Sequence, residues 1–181
     1  MPLLPSPGFT VWLTGLSGAG KTTVGDLVAA ELERRGLVVD RLDGDVVRQH
    51  LSAGLGYSPA DRDTNIARIA WIASRLTRAG VAVVVSAISP YAAARQAARE
   101  LIEPHGAFVE VHVAAPVEEC ARRDGKGLYE RAFRGELDDF TGVSAPYEEP
   151  ESPELRLETH RETPDESAAH VLRRLEQAAL I

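Results

Sequence analysis

The run Gly15-Leu16-Ser17-Gly18-Ala19-Gly20-Lys21-Thr22 constrains this chain more than any other feature, because it satisfies G-x-x-x-x-G-K-[ST] between an apolar stretch and a helical pattern. Phe9 to Thr14 (FTVWLT) reads as a buried strand, and Val24, Leu27, Val28 and Leu32 give helical spacing over Thr22 to Arg35. Strand, glycine loop and helix in that order make a P-loop. Its glycines let successive N–H groups turn toward phosphates, and the helix N-terminus adds positive potential. Lys21 then reaches the β and γ phosphates, and the Thr22 hydroxyl faces Mg²⁺.

The rest of the chain continues the alternation. Gly36 is placed to end the first helix, and Leu37 to Leu42 supplies a second strand. Ile66, Ile69, Ala70, Ala73 and Leu76 predict a helix over Asp61 to Arg78, followed by the buried strand VAVVVSAI. A helix over Tyr91 to Ile102, a strand over Ala107 to Ala114 and a proline-opened helix over Pro116 to Arg123 follow. Strands alternating with helices predict an α/β fold of the P-loop NTPase type, a parallel sheet with helices on both faces and ligands at the carboxyl ends of the strands. Residues 125–153 mix charges, glycine, prolines and aromatics over too great a length for an ordinary connection, so they are expected to form a mobile lid. Leu155 to Glu158 reads as a last strand, and Thr163, Pro164 and Glu166 as a capping box opening a helix over Asp165 to Ala179.

The length of 181 residues with 44% hydrophobic content suits one domain with one continuous core. A net charge of −7 argues against a general nucleic-acid binder, so any bound anion must meet a local cluster of bases. The lone Cys120 forms no internal disulfide, and the first residues lack the pattern of a secretory leader, which predicts a cytoplasmic protein. The longest apolar stretch, Gly80 to Ile88, is far short of the roughly 20 residues of a membrane span. The five histidines show no ligand spacing, so no structural metal is expected.

A P-loop serves GTPases, ATP-driven machines and small-molecule kinases alike. No N/T-K-x-D element reads guanine here, and the strand VAVVVSAI ends without an acidic residue for Mg²⁺, which leaves a small-molecule kinase in front. Asp43-Gly44-Asp45 lies where the second strand ends, so one carboxylate can take a hydroxyl proton while the other holds Mg²⁺ through water. A solvated turn with an aspartate helix cap is the plainer alternative. Arg48, Arg62, Asn65 and Arg68 suit an anionic acceptor and Tyr57 can stack on a base, although exposed arginine is the common case. Arg122, Arg123, Lys126, Arg131 and Arg134, interleaved with Tyr129, Phe133 and Phe140, have the composition of a segment that closes over charged nucleotides.

Taken together, GLSGAGKTT, LDGDVVR, LGYSPADRDTNIAR, SAISPY and RDGKGLYERAFRGELDDFTGVSAPYEEP closely resemble the adenylylsulfate kinase family, from about Phe9 to Thr159. The resemblance implies transfer of phosphate from ATP, with Mg²⁺, to the 3′-hydroxyl of adenylyl sulfate, in a homodimer serving sulfate assimilation. It implies that Gly15, Leu16, Ser17, Gly18, Ala19, Gly20, Lys21, Thr22 and Thr23 bind ATP with Arg123, and that Thr22 and Asp43 hold the metal. Asp43, Asp45, Arg48, Tyr57, Arg62, Asn65, Ile88, Ser89 and Lys126 would face adenylyl sulfate, Tyr57 standing where the family usually has phenylalanine. Lys21, Asp45 and Ser89 would be catalytic, Ser89 as a phosphoserine intermediate. A cap on the helix after Pro90 is an equal reading of Ser89, and direct in-line transfer is the expected route. Val46 replaces the family's usual asparagine, and the loop QHLSAGLGYS departs from its pattern. Two rivals stand beside this reading: a gluconate, shikimate or nucleoside kinase, and an inactive nucleotide-sensing module.

Overall fold

A computed structural model describes residues 8–181, so the N-terminal stretch read against a leader lies outside the described residues. Five strands, β1 (Phe9–Thr14), β2 (Val39–Asp43), β3 (Ala82–Ser86), β4 (Ala107–Ala114) and β5 (Leu155–Glu158), form one sheet in the order β2-β3-β1-β4-β5. All its pairings are parallel. The connecting helices are α1 (Lys21–Arg34), α2 (Gly44–His50), α3 (Pro59–Arg78), α4 (Ala92–Ile102), α5 (Val117–Arg123), α6 (Leu128–Phe133) and α7 (Pro164–Gln177).

The central strand β1 shows why both faces are covered. Val11 and Leu13 point into a cluster with Val24, Val28 and Leu32 of α1 and Val171 and Leu175 of α7. Trp12, between them, points the other way, among Ile66, Ile69 and Ala73 of α3 and Ile102 of α4. Period-two alternation with both sets apolar is what a doubly covered parallel strand requires. No helix among the described residues is long and apolar enough to cross a membrane.

Local signals end the helices where expected, to within a residue or two. Gly36 takes φ 87, its N–H bonds Glu33 O and the Leu37 N–H bonds Leu32 O, which is the Schellman closure of α1. Thr163 caps α7 by accepting from Glu166 N, and the Glu166 carboxylate accepts from Thr163 N in return. The segment α2, which the periodicity left unbounded, starts at an aspartate cap. Within residues 125–153 the chain holds the short helix α6 and packs inward over much of its length through Tyr129, Phe140 and Tyr147. Residues 124–126, 128, 129 and 137–141 line a cleft at the strand ends.

His112 of β4 is buried opposite Arg156 of β5 in the ladder, and Arg156 Nη1 lies 2.9 Å from its Nδ1. Guanidinium can only donate, so Nδ1 is the bare nitrogen and Nε2 carries the proton. Burial, helped by Arg156, holds the imidazolium pKa down at about 4. The unfolded chain takes up this proton near pH 6.5 and the folded chain only near pH 4, so stability is retained above 6.5 and falls as pH drops between the two. Urea unfolding at pH 7 and pH 5 should show wild type losing about 1–2 kcal/mol more than His112→Gln.

Candidate active site

The loops that follow β1, β2, β3 and β5 at the carboxyl edge of the sheet contribute to two adjoining clefts. The first, of about 570 Å³, runs over the P-loop past Asp43 and Asp45 to Thr159, Glu162 and Pro164. The second, of about 530 Å³, lies between Tyr57, Arg62, the start of the lid at Asp124 to Tyr129, and Leu137 to Thr141. Ser17, Gly18, Asp45, Ile88 and Arg123 line both, so the clefts meet there.

The P-loop backbone is held from behind. Gly15 adopts φ 154, and a Cβ there would stand 2.4 Å from Val113 O, so no larger residue fits so close to β4. Lys21 Nζ donates to Gly15 O at 2.9 Å and Leu16 O at 2.7 Å. The Tyr129 hydroxyl donates to Ser17 O at 2.7 Å, and the Thr159 hydroxyl to Ala19 O at 2.7 Å. With these carbonyls tied inward, the loop's N–H groups are left for phosphate oxygens, except those of Gly15, which bonds Ile88 O at 3.4 Å, and Ala19, which bonds Leu16 O at 3.2 Å. Burial lowers the Lys21 ammonium to about 8, although Asp45 and Asp43 pull it back up.

Asp43 does two jobs. Its Oδ1 accepts from Asp45 N (2.9 Å) and Val46 N (3.3 Å), capping α2, while Oδ2 accepts from the Thr22 hydroxyl at 2.8 Å. The helix-cap alternative and the metal-site reading are thus compatible: the cap aims Asp43 at Thr22 and leaves the Asp45 carboxylate over the junction of the clefts. Thr22 and Asp43 offer the hard oxygen donors that Mg²⁺ takes.

On the acceptor side, the Arg48 guanidinium lies 4.6 Å and that of Arg62 5.6 Å from the centre of the Tyr57 ring. Arg62 is buried and donates through Nε to Tyr57 O at 2.8 Å and through Nη2 to Asp139 O, tying the lid to α3. Asn65 is buried with Oδ1 unpartnered. Lys126 lines the second cleft.

Three expectations change. Ser89 does not open onto either cleft. It is 1% exposed, its hydroxyl accepts from Trp12 Nε1 at 3.0 Å and donates to Ala87 O at 3.1 Å, and it is no helix cap, since α4 begins after Tyr91 without a side-chain cap. Its φ of 41 before a proline costs about 1–3 kcal/mol, which its buried partners hold in place. Arg68 bonds Leu51 O at 2.6 Å and braces the loop after α2 instead of an acceptor anion. Of the lid bases, Arg122, Arg131 and Arg134 pair with glutamates and line neither cleft, whereas Arg123, though paired through Nε with Glu119 at 2.8 Å, and Lys126 lie at the clefts.

Thr159 was not singled out by the sequence, since a lone threonine after a short strand carries no pattern. It buttresses the P-loop and, through its carbonyl, holds Arg123 Nη2 at 2.7 Å. Tyr129 was read only as lid composition, and its anchoring of Ser17 O is a long-range contact.

Comparison with known proteins follows the same lines. The family model described as adenylylsulphate kinase matches residues 7–158. The adenylyl-sulfate kinase of Halothermothrix orenii is 53% identical over 174 residues, covering 96% of this chain and 92% of its own. The Mycobacterium tuberculosis APS kinase solved in complex with AMPPNP and APS superposes with a TM-score of 0.91 at 44% identity, over 95% of this chain and 99% of that one. A hexameric APS kinase from Thiobacillus denitrificans superposes at 0.76 with 38% identity, over 99% of this chain and 31% of that one.

Replacing Thr159 by valine keeps its shape and removes the donor to Ala19 O. The expected result is a melting temperature lowered by a few degrees, as for about 1 kcal/mol, and a KM for ATP raised about fivefold at nearly unchanged KM for the second substrate. Steady-state kinetics with each substrate varied in turn checks it.

Proposed function

This chain belongs to the adenylylsulphate kinase family, and we propose that its two clefts seat ATP and adenylyl sulfate end to end, with the γ-phosphoryl group at their junction. The observation that carries this reading is the shared wall of Ser17, Gly18, Asp45, Ile88 and Arg123, because in-line transfer needs donor and acceptor chambers that open into each other at a carboxylate. The chain catalyses transfer of phosphate from ATP to adenylyl sulfate, and the acceptor is its 3′-hydroxyl.

The backbone N–H groups between Gly15 and Thr23 that are not bonded within the fold, with the Lys21 ammonium, hold the phosphates, and Arg123 flanks them from α5. The Lys21 ammonium has three donors, two held on Gly15 O and Leu16 O and the third for a phosphate oxygen, whose charge restores the favourable surroundings that burial denies the ammonium. Arg62 and Lys126 supply donors for the phosphosulfate, and Tyr57 offers a face to the adenine. Arg48, which donates to Gly56 O and lies against the Tyr57 ring, and the buried Asn65 line neither cleft and act behind these residues. Asp45 accepts the proton of the 3′-hydroxyl as its oxygen bonds to the γ-phosphorus. The bond from that phosphorus to the β–γ bridging oxygen breaks, and ADP leaves with the electron pair. Mg²⁺ beside Thr22 and Asp43 would neutralise charge on the phosphate oxygens.

Direct transfer is favoured over a phosphoserine route by the enclosure of the Ser89 hydroxyl between Trp12 and Ala87. The same proposal takes the chain as one domain, a homodimer in the cytoplasm. Support for assembly comes from a hexameric relative, and support for a reducing compartment from the single buried Cys120.

Incubation with Mg-ATP and adenylyl sulfate should yield ADP and the 3′-phosphorylated product in equal amounts, while gluconate, shikimate and nucleosides leave ATP untouched. Lys21→Ala should lower kcat/KM by a hundredfold or more, about 3 kcal/mol of transition-state stabilisation. Asp45→Asn should lower kcat by about two orders of magnitude with the KM for ATP within threefold. Ser89→Ala should keep most of its turnover. A stoichiometric phosphoenzyme in a quenched burst would instead establish the two-step route.

A further inference from the structure

Arg95 is a buried arginine of α4 that touches neither cleft, yet its guanidinium joins four parts of the molecule. Nε pairs with Glu110 of β4 at 2.9 Å, Nη1 donates to Ser89 O at 2.7 Å, and Nη2 donates to Glu148 O at 2.7 Å. Glu148 closes the circuit, since its N–H donates to Pro90 O at 2.8 Å and its carboxylate accepts from Ala92 N at 2.7 Å. Its neighbour Tyr147 hydrogen-bonds Thr14 at 2.9 Å, and Thr14 donates to Ile88 O at 2.6 Å.

Two features of this arrangement exceed what core packing needs. Ser89 holds a left-handed conformation that its place before Pro90 disfavours, and its carbonyl is fixed there by Arg95. The residue preceding it, Ile88, is a wall common to both clefts. Glu148, the other carbonyl on the fork, lies in the returning limb of the lid, whose earlier residues 137–141 line the acceptor cleft alone. One guanidinium therefore sets the bend of the acceptor wall and the seat of the lid together, and only a planar fork with divergent donors reaches all three acceptors.

We propose that Arg95 is a positioning residue for the acceptor: it couples the Ile88–Ser89 bend to the base of the lid and so shapes the cleft that takes adenylyl sulfate, acting through backbone and touching no substrate. This rests on the reading that the second cleft is the adenylyl sulfate site. The P-loop meets this bend only through the long bond from Gly15 N to Ile88 O at 3.4 Å, and its carbonyls are held by Lys21, Tyr129 and Thr159, so the ATP cleft depends on the fork far less than the acceptor cleft does.

The test is Arg95→Lys, which keeps the charge beside Glu110 and loses the fork. Its KM for adenylyl sulfate should rise tenfold or more and kcat should fall, with the KM for ATP within twofold of wild type. Where removal of the fork impairs folding, Arg95→Gln with Glu110→Gln avoids a buried unpaired carboxylate and should show the same split. A lysine variant with both KM values at wild-type level, or with both raised equally, overturns the proposal, because a merely structural arginine gives one of those results. Wild-type protein that fails to phosphorylate adenylyl sulfate overturns the functional reading instead, which separates the two failures.

Discussion

A loop that gives its N–H groups to phosphates must first dispose of its carbonyls, and this requirement organises the molecule. Lys21 takes the first two carbonyls, Tyr129 of α6 takes that of Ser17, and Thr159 after β5 takes that of Ala19. An unpartnered carbonyl costs about as much as a lost hydrogen bond and would also repel the incoming anion. The lid and the last strand crossover are therefore parts of the phosphate site even though neither carries its motif.

The same economy recurs around the second substrate. Asp43 caps a short helix and, with its other oxygen, orients the P-loop hydroxyl, so the local geometry of α2 and the placing of the Thr22 hydroxyl cannot be varied separately. Arg62 spends two donors on backbone of the loop before α3 and of the lid, and still lines the acceptor cleft. Residues that line the clefts thus also tie their walls together, which is a form of preorganisation.

Ser89 illustrates how a family motif and its physical setting can part company. Its position after a buried strand suggested a nucleophile at the crevice, but the chain turns through a left-handed residue there and folds the hydroxyl beneath Trp12. What the bend delivers is Ile88, an apolar wall common to both clefts.

What the sequence by itself determined is the set of features carried by local pattern. The five strands and the major helices follow from alternation and 3.6-residue spacing, the caps at Gly36 and Thr163 from turn chemistry, and the P-loop with Asp43 and Asp45 from motif and strand end. Only the tertiary structure decided the strand order β2-β3-β1-β4-β5, the meeting of two clefts at Asp45, and the roles of Thr159, Tyr129 and Arg95. It also removed Arg68 from the acceptor cluster, and Arg131 and Arg134 from the cleft-facing bases of the lid, by giving them other partners. The physical reason is range: periodicity and capping are settled within a few residues, whereas Thr159 meets Ala19 across 140 positions and Tyr129 meets Ser17 across 112. A hydrogen bond closed over that distance leaves no trace in the spacing of either residue's neighbours, so its partner becomes visible only once the sheet has brought the strand ends together.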